Sequence, residues 1–336
     1  MTSSLPLALT MGEPAGIGGE IALKAWMASR GGAAPSFVLL DDPARLSALA
    51  QRLGWDVPIA MVAGPEDAAA QFPRALPVLA LPLPQAVEPG KPDNANAPAV
   101  IESIRRAVEL AQAGRVAAVV TNPIHKKVLY DAGFKHPGHT EYLGELTGVA
   151  APVMMLASPE LRVVPVTIHL SLRQAVADLT IADIVRCGRV AAEALRRDFG
   201  IARPRLAVAG LNPHAGEEGA LGREDIEIVA PAVAQLRALG IDAAGPLPAD
   251  TMFHAAARGA YDTALCMYHD QALIPLKTLG FDQGVDVTLG LPIVRTSPDH
   301  GTAFNIAGSG KASATSLLAA LRLAADMAAR RAAFAA

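Results

Sequence analysis

The sequence predicts an α/β protein built as two α/β/α domains with mainly parallel sheets. Three observations carry the prediction: apolar runs of strand length, longer stripes of helical spacing between them, and polar or Gly/Pro-containing turns that close the runs. The runs fall at residues 5–9, 37–40, 116–120, 161–168, 206–209 and 263–267. Val100, Ile101, Ile104, Val108 and Ala111 form one helical stripe, and Ile184, Val185, Val190, Ala194 and Leu195 a second. Ile226, Val229, Val233, Leu236 and Leu239 form a third, and Leu317, Leu318, Leu321 and Leu323 open a last helix. The Pro/Gly-rich stretch 87–98 reads as a surface loop leading into the helix from Ala99.

Composition narrows the function classes. With 336 residues, 51% hydrophobic and only 4% aromatic, the chain suits two modest domains of tightly packed small side chains. Net charge is −3, from 29 basic and 32 acidic residues without a long run of either sign, so no nucleic-acid footprint is expected. The two cysteines, Cys187 and Cys266, build neither a disulfide framework nor a thiolate metal cluster. The apolar stretch 77–87 carries three prolines and is too short to span a bilayer. Residues 1–10 show no basic leader, so the expected address is the cytoplasm, with no membrane partner.

The chemistry gathers where the apolar runs end. Residues 5–9 run into Thr-Met-Gly-Glu-Pro-Ala-Gly-Ile-Gly, and 116–120 into Thr121, Asn122 and Pro123. The run 161–168 ends in His169, 206–209 leads through Asn212 and Pro213 to His214, and 263–268 ends in His269 and Asp270. In parallel sheets ligands bind outside the carboxyl ends of strands, so this edge is the predicted site. Imidazoles suit zinc-like divalent ions, and three protein ligands with an open position make a catalytic centre. The same histidines, like His125 and His254, equally suit a cap or a bond to a backbone carbonyl. Asp250 and Asp270 are the nearby carboxylates that could orient the ligands or join them. The Gly-rich turn 12–19 has N–H groups that suit an anion, though Pro14 removes a donor and the Gly-x-Gly-x-x-Gly fingerprint is absent. A tight strand-to-helix connection explains it equally well. Lys277, Arg295 and the segment 297–303 suit a phosphate or carboxylate.

At these residues the chain resembles the 4-hydroxythreonine-4-phosphate dehydrogenases of vitamin B6 synthesis along nearly its whole length. The motifs are Gly-Glu-Pro-Ala-Gly-Ile-Gly at 12–18, Thr-Asn-Pro at 121–123, Gly-His-Thr-Glu at 138–141 and Leu-Asn-Pro-His-Ala-Gly-Glu at 211–217. Gly-Pro-Leu-Pro-Ala-Asp-Thr at 245–251, His-Asp-Gln at 269–271 and the Thr-Leu-Gly-Leu-Pro to Asp-His-Gly-Thr-Ala region at 288–303 complete the set.

The resemblance implies an isocitrate/isopropylmalate dehydrogenase-like fold. Residues 1–125 and 265–336 would form a discontinuous first domain on the cofactor side, and 126–264 a second for metal binding and dimerisation. It implies a homodimer whose active site lies in the interdomain cleft at the dimer interface. His169, His214 and His269 match the metal ligands, the third supplied across the interface, with zinc, magnesium or cobalt as the ion. His139, Thr140, Lys277 and Arg295 match the substrate contacts, with Asp286 beside the phosphate where the family has asparagine. A carboxylate next to a dianion is unfavourable unless protonated or cation-paired, so this departure bears on substrate choice. Ser171, where the family often has proline, is a milder departure. Residues 300–308 are similar to the His-Gly-Ser-Ala-Pro-Asp-Ile-Ala-Gly segment at the adenosine end of the isocitrate dehydrogenase cofactor. Cofactor contacts are therefore expected at Gly12, Glu13, Gly301, Thr302, Ala303 and Asn305. The implied reaction is NAD-dependent oxidation of 4-phosphooxy-L-threonine with decarboxylation, NADP being the alternative cofactor. Rival readings are dehydrogenases of threonate or erythronate phosphates or of a dihydrodiol dicarboxylate, a three-histidine metal hydrolase, and an acyl-phosphate transferase. The last would need CoA and would leave the histidines unexplained.

Overall fold

Every predicted run forms a strand, with bounds moved by a few residues. In chain order the strands are β1 (Leu7–Thr10), β2 (Phe37–Asp41), β3 (Ile59–Met61), β4 (Leu76–Ala80), β5 (Val119–Val120) and β6 (Val153–Ala157). They continue with β7 (Arg162–Pro165), β8 (Arg205–Ala209), β9 (Asp242–Leu247), β10 (Thr263–Cys266), β11 (Val285–Leu289) and β12 (Arg295–Pro298). The computed structural model describes residues 5–30, 32 and 35–335. It divides into two units, Met1–Pro152 with Leu291–Ala329, and Val153–Gly290 with Arg330–Ala336.

In the first unit the strands run in the order β3-β4-β2-β1-β5-β12, every pair parallel. Buried on both faces, these strands are continuous apolar runs, as β2 (Phe-Val-Leu-Leu-Asp, buried throughout) illustrates. The helix Ala97–Gln112 carries Pro98 in its first turn and buries Val100, Ile104, Ala107 and Val108 at one-face spacing. Those side chains join Ala8, Val38, Leu40 and Val119 in one core cluster.

The second unit has the order β11-β6-β7-β10-β8-β9. The pairs β7/β10, β10/β8 and β8/β9 are parallel, whereas β6 pairs antiparallel with both β11 and β7. The helix Ile181–Arg197 starts on Thr180, whose hydroxyl accepts the Asp183 N–H. Gly188 lies on its buried face, and a Cβ there would come within 2.8 Å of the Leu236 methyls, so only glycine permits that helix contact. The stripe from Ile226 forms as predicted, but its first turn, Asp225–Val229, is π-helical before α geometry resumes at Ala230–Ala238.

The unit boundaries fall at 152/153 and 290/291, not at 125/126 and 264/265 as expected. Packing explains both shifts. Val128, Leu129, Tyr142 and Leu143 insert into the first unit's core, taking the segment that carries His139 and Thr140 with them. At the other end, β10 pairs between β7 and β8, and β11 pairs with β6, which assigns His269, Lys277 and Asp286 to the second unit. Among the described residues no helix is long and apolar enough to cross a membrane.

Candidate active site

The second unit places the three histidines on one sheet edge. β7, β10 and β8 are adjacent and parallel, and each runs at its carboxyl end into one of them: His169 after β7, His269 after β10, His214 after β8. Neighbouring strands lie about 4.8 Å apart, so their end loops are close by construction. The β7–β10 ladder extends past the strands through Val166 N–H to Cys266 O and Thr167 N–H to Met267 O, carrying order toward His169.

The His169 and His269 ring centroids are 6.4 Å apart with planes tilted by 41°. Two imidazoles sharing one tetrahedral cation, with metal–nitrogen bonds of about 2.1 Å, would put their centroids roughly 5.2 Å apart. The two rings are neighbours of the right chemistry for a divalent ion, set about 1 Å wider than such sharing requires. His269 opens the helix His269–Gly280, and its Nδ1 meets Asp270 Oδ1 at 2.7 Å. A carboxylate on Nδ1 fixes the tautomer that offers Nε2 to a metal. Asp270 thus sets the tautomer and orientation of the His269 ring. The next residue, Gln271, ties two of the histidine segments together: its Nε2 donates to Gly210 O and its Oε1 accepts the Met267 N–H, each at 2.7 Å. Among the described residues of the single chain, no three His, Cys, Asp or Glu side chains gather closely enough to hold an ion.

His214 stands in a turn that the sequence did not announce. His214, Ala215, Gly216, Glu217 and Glu218 all have positive φ, with His214 at 52°. Each L-residue in that region costs about 1–2 kcal/mol, and such strain persists only where surroundings over-determine it. Asp225, 1% exposed, accepts N–H bonds from Leu211 and Asn212 beneath this turn. Asp250 is exposed on the short helix Ala249–Met252, which packs against the same turn. Neither cysteine is a nucleophile: burial pushes the Cys187 thiol up to about 11 and that of Cys266 higher still. His254 takes the bland role, its Nδ1 accepting the Ala257 N–H as a helix cap. His125 does not; its Nδ1 is buried without a partner and its ring packs edge-on against Phe304.

The first unit gathers a buried cationic and polar cluster around Arg295. Arg295 is 1% exposed, and its guanidinium donates to Thr121 Oγ1 at 2.6 and 3.2 Å and to Ser297 Oγ at 3.0 Å. β5 and β12 are adjacent, which is why a threonine closing one meets an arginine opening the other. His139 begins the helix His139–Thr147, followed by Thr140. Its Nε2 is shut off from solvent with no hydrogen-bond partner, although the residue keeps some surface. Asn122 Oδ1 and His300 Nε2 are in the same condition. Buried polar atoms nearly always have partners, so these point to a ligand that completes them. In the second unit, Lys277 lies with its Nζ 5.9 Å from the Phe281 ring centre, and Asp286 sits on β11 opposite Leu156.

His139 is held well below the usual histidine range, first by burial and then by the charges of Arg295 and Lys126. In the unfolded chain it titrates near its ordinary value of about 6.5. Below that pH the unfolded state binds a proton that the folded state refuses, so stability falls as the solution is acidified toward the folded pKa. His139→Gln should reduce the drop in Tm between about pH 7 and pH 5. Parallel melting curves of both proteins across that window would remove this account.

The segments that carry the predicted cofactor residues meet at Thr302. The Ile17 N–H donates to Thr302 O, the Gly90 N–H to Ala15 O, and a Cβ on Gly16 would lie 2.9 Å from Thr302 O. Next to them opens a cleft of about 480 Å³ lined by Pro14, Gly16, Arg45, Arg52, Val87 and Gly308, among others. Gly12, Glu13, Gly301, Thr302, Ala303 and Asn305 do not themselves line the cleft. The turn 12–19 is no anion cradle. Its Glu13, Ala15, Gly16 and Ile17 N–H groups are bonded to Pro123 O, Glu13 Oε1, Glu13 O and Thr302 O. It is the tight connection, and burial raises the Glu13 carboxyl above its usual range, partly offset by the Ala15 N–H and Arg45.

Comparison with known proteins follows this geometry. The chain is 58% identical to a 4-hydroxythreonine-4-phosphate dehydrogenase of Bradyrhizobium diazoefficiens, over 97% of this chain and 98% of that one. It superposes on the crystal structure of a 4-hydroxythreonine-4-phosphate dehydrogenase from Klebsiella pneumoniae with a TM-score of 0.87 at 42% identity, covering 97% and 100% of the two chains. A terephthalate 1,2-cis-dihydrodiol dehydrogenase from Burkholderia xenovorans is more distant, with a TM-score of 0.65 at 30% identity over 96% and 98%. Residues 33–324 match the family described as pyridoxal phosphate biosynthetic protein PdxA. The chain belongs to that family.

Proposed function

We propose that the chain is an oxidoreductase that oxidises 4-phosphooxy-L-threonine with NAD and releases carbon dioxide. The product is 3-amino-2-oxopropyl phosphate, for pyridoxal phosphate synthesis. The observation that carries the reading is the row of adjacent parallel strands β7, β10 and β8, each delivering a histidine to the same edge. His169, His214 and His269 would hold a divalent cation, zinc first by ligand chemistry, with magnesium and cobalt as alternatives. When bound, the cation supplies Lewis acidity at the substrate hydroxyl and the nicotinamide accepts the hydride.

The chain's own residues do the rest. Asp270 keeps His269 in its ligating tautomer. Neutral His139 offers Nε2 to the substrate as an orienting contact beside Thr140. Arg295, already forked against Thr121 and Ser297, takes the phosphate, and Lys277 is the other proposed cationic contact. Asp250 is the proposed acceptor of the hydroxyl proton. The cleft at Pro14, Arg52 and Gly308 is the proposed cofactor seat, with NADP as the alternative occupant.

A homodimer is part of the proposal. Large apolar side chains flank the histidines in sequence and stand exposed: Leu170 at 46%, Leu172 at 61%, Leu221 at 44%, Ile226 at 42% and Ile274 at 62%. A second copy covering them would complete the metal site with a ligand from across the interface. The cytoplasm is the proposed compartment.

The test is NADH absorbance with the metal-loaded protein, run against 4-phosphooxy-L-threonine, threonate and erythronate phosphates, and a dihydrodiol dicarboxylate. Turnover should be fastest with the phosphothreonine and should release carbon dioxide in equal amount. A preference for another member of the panel would reassign the substrate, and would direct attention to Asp286. Hydrolysis without NAD reduction would overturn the dehydrogenase reading.

A further inference from the structure

We propose that Asp225 is a positioning residue for His214, its buried carboxylate holding the left-handed turn in the one conformation that presents the imidazole to a metal. The inference rests on the metal reading above.

The geometry is specific to the chain just ahead of the histidine. Asp225 Oδ1 accepts the Leu211 N–H at 2.7 Å, and Oδ2 accepts the Asn212 N–H at 3.0 Å and Asn212 Nδ2 at 3.1 Å. Pro213 and His214 follow directly. The carboxylate is 1% exposed and opens the π-helical turn Asp225–Val229. One-turn π segments recur at functional sites, because the wider turn redirects a side chain that α geometry would place elsewhere. The surrounding glycines show that the space is built around this carboxylate. A Cβ on Gly210 would lie 3.0 Å from Oδ1 and 2.8 Å from Ala215 Cα, and one on Gly216 would lie 3.3 Å from Oδ2.

A turn of left-handed L-residues relaxes when its anchor is removed. Charge-assisted bonds to two consecutive backbone N–H groups are a strong anchor, and an amide in place of the carboxylate must turn its NH2 toward one of those donors. Asp225→Asn should therefore leave the β8–β9 ladder in place while loosening His214. A residue that merely closed a loop would lower stability without changing how the site holds an ion.

The experiment is a Co2+ titration of the metal-free full-length protein, followed by visible d–d absorption, with circular dichroism as the folding check. His214→Ala marks the spectrum of a site lacking that ligand. For Asp225→Asn we expect native dichroism, a Co2+ dissociation constant raised about 10- to 100-fold, and a spectrum shifted toward that of His214→Ala. Asn212→Ala, which removes one of the donors, should shift both readouts in the same sense by a smaller factor. A folded Asp225→Asn protein with wild-type affinity and spectrum overturns the inference alone. Should that variant not fold, Asn212→Ala decides: unchanged affinity and spectrum overturn it. A wild-type protein that binds no Co2+ overturns the metal reading and this inference together.

Discussion

His214→Ala is expected to lower kcat/KM by on the order of 10³-fold or more, about 4 kcal/mol of transition-state stabilisation, with little change in Tm. The two halves of that expectation have separate causes. Activity falls because removing an imidazole leaves an incomplete donor set for the ion that activates the substrate hydroxyl. Stability changes little because His214 is exposed, although histidine accepts its φ of 52° somewhat more readily than alanine does. His214→Asn is the sharper control. Asparagine tolerates left-handed backbone better than most residues, so it should match or exceed wild-type Tm while remaining as inactive as the alanine variant. Steady-state NADH formation, metal content of the purified protein and thermal melts read all three. Near-normal turnover by either variant, persisting in the presence of chelator, would sink the role given to this histidine.

The strand-end logic was legible because parallel sheets impose it. An apolar run buried on both faces must stop where polar side chains are needed, so β5, β7, β8 and β10 each announced a candidate site residue by where they ended. What could not be read was order across the sheet. That β10 lies between β7 and β8, bringing His269 beside His169, follows from strand pairing over about 100 residues of chain. Local pattern carries no such term. The antiparallel strands β6 and β11 were passed over although their ends are marked. Pro152 and Pro159 bracket Val-Met-Met-Leu-Ala, and Gly284 and Gly290 bracket Val-Asp-Val-Thr-Leu, where Asp286 and Thr288 interrupt the apolar run.

The domain limits and the left-handed turn were hidden by different physics. Boundaries were displaced because Leu129 and Leu143 pack into the first unit's core, and nothing in a short apolar pair says which core it will join. In the segment Pro213–Gly219 only Gly216 and Gly219 hint at positive φ, and the chain entering it is anchored through the Leu211 and Asn212 N–H groups on Asp225. Nothing in the local sequence sets Asp225 apart from the other acids beside the stripe that begins at Ile226. The Gly-rich turn left two readings open for a different reason. Its glycines allow close approach of Asn122 and Thr302 to the backbone, where a Cβ on Gly12 would lie 2.7 Å from Asn122 Cβ, and this packing need mimics the composition of an anion loop.

Arg295→Lys is expected to raise KM for the phosphorylated substrate by about 10- to 100-fold, with a smaller fall in kcat, although the charge is conserved. The guanidinium reaches Thr121 Oγ1 through both Nε and Nη2 while Nη2 also reaches Ser297, a planar grip that one ammonium group cannot reproduce. What lysine loses is the planar, pre-oriented fork that positions a guanidinium against a dianion, and that loss belongs to binding. Arg295→Met goes further and separates charge from geometry. It removes the second-ranked cause of the low His139 pKa, leaving burial as the main one, so the His139 titration should move up toward, without reaching, the ordinary histidine range. Histidine ring NMR across pH reads that shift directly. The decisive comparison uses 4-hydroxythreonine, which lacks the phosphate. If Arg295 grips the phosphate, the ratio of wild-type to Arg295→Lys kcat/KM should shrink toward one on the unphosphorylated substrate, because there is no dianion left to misplace. An equal penalty on both substrates would mean that the arginine serves the β5–β12 edge and not the ligand, and the phosphate would have to be sought elsewhere.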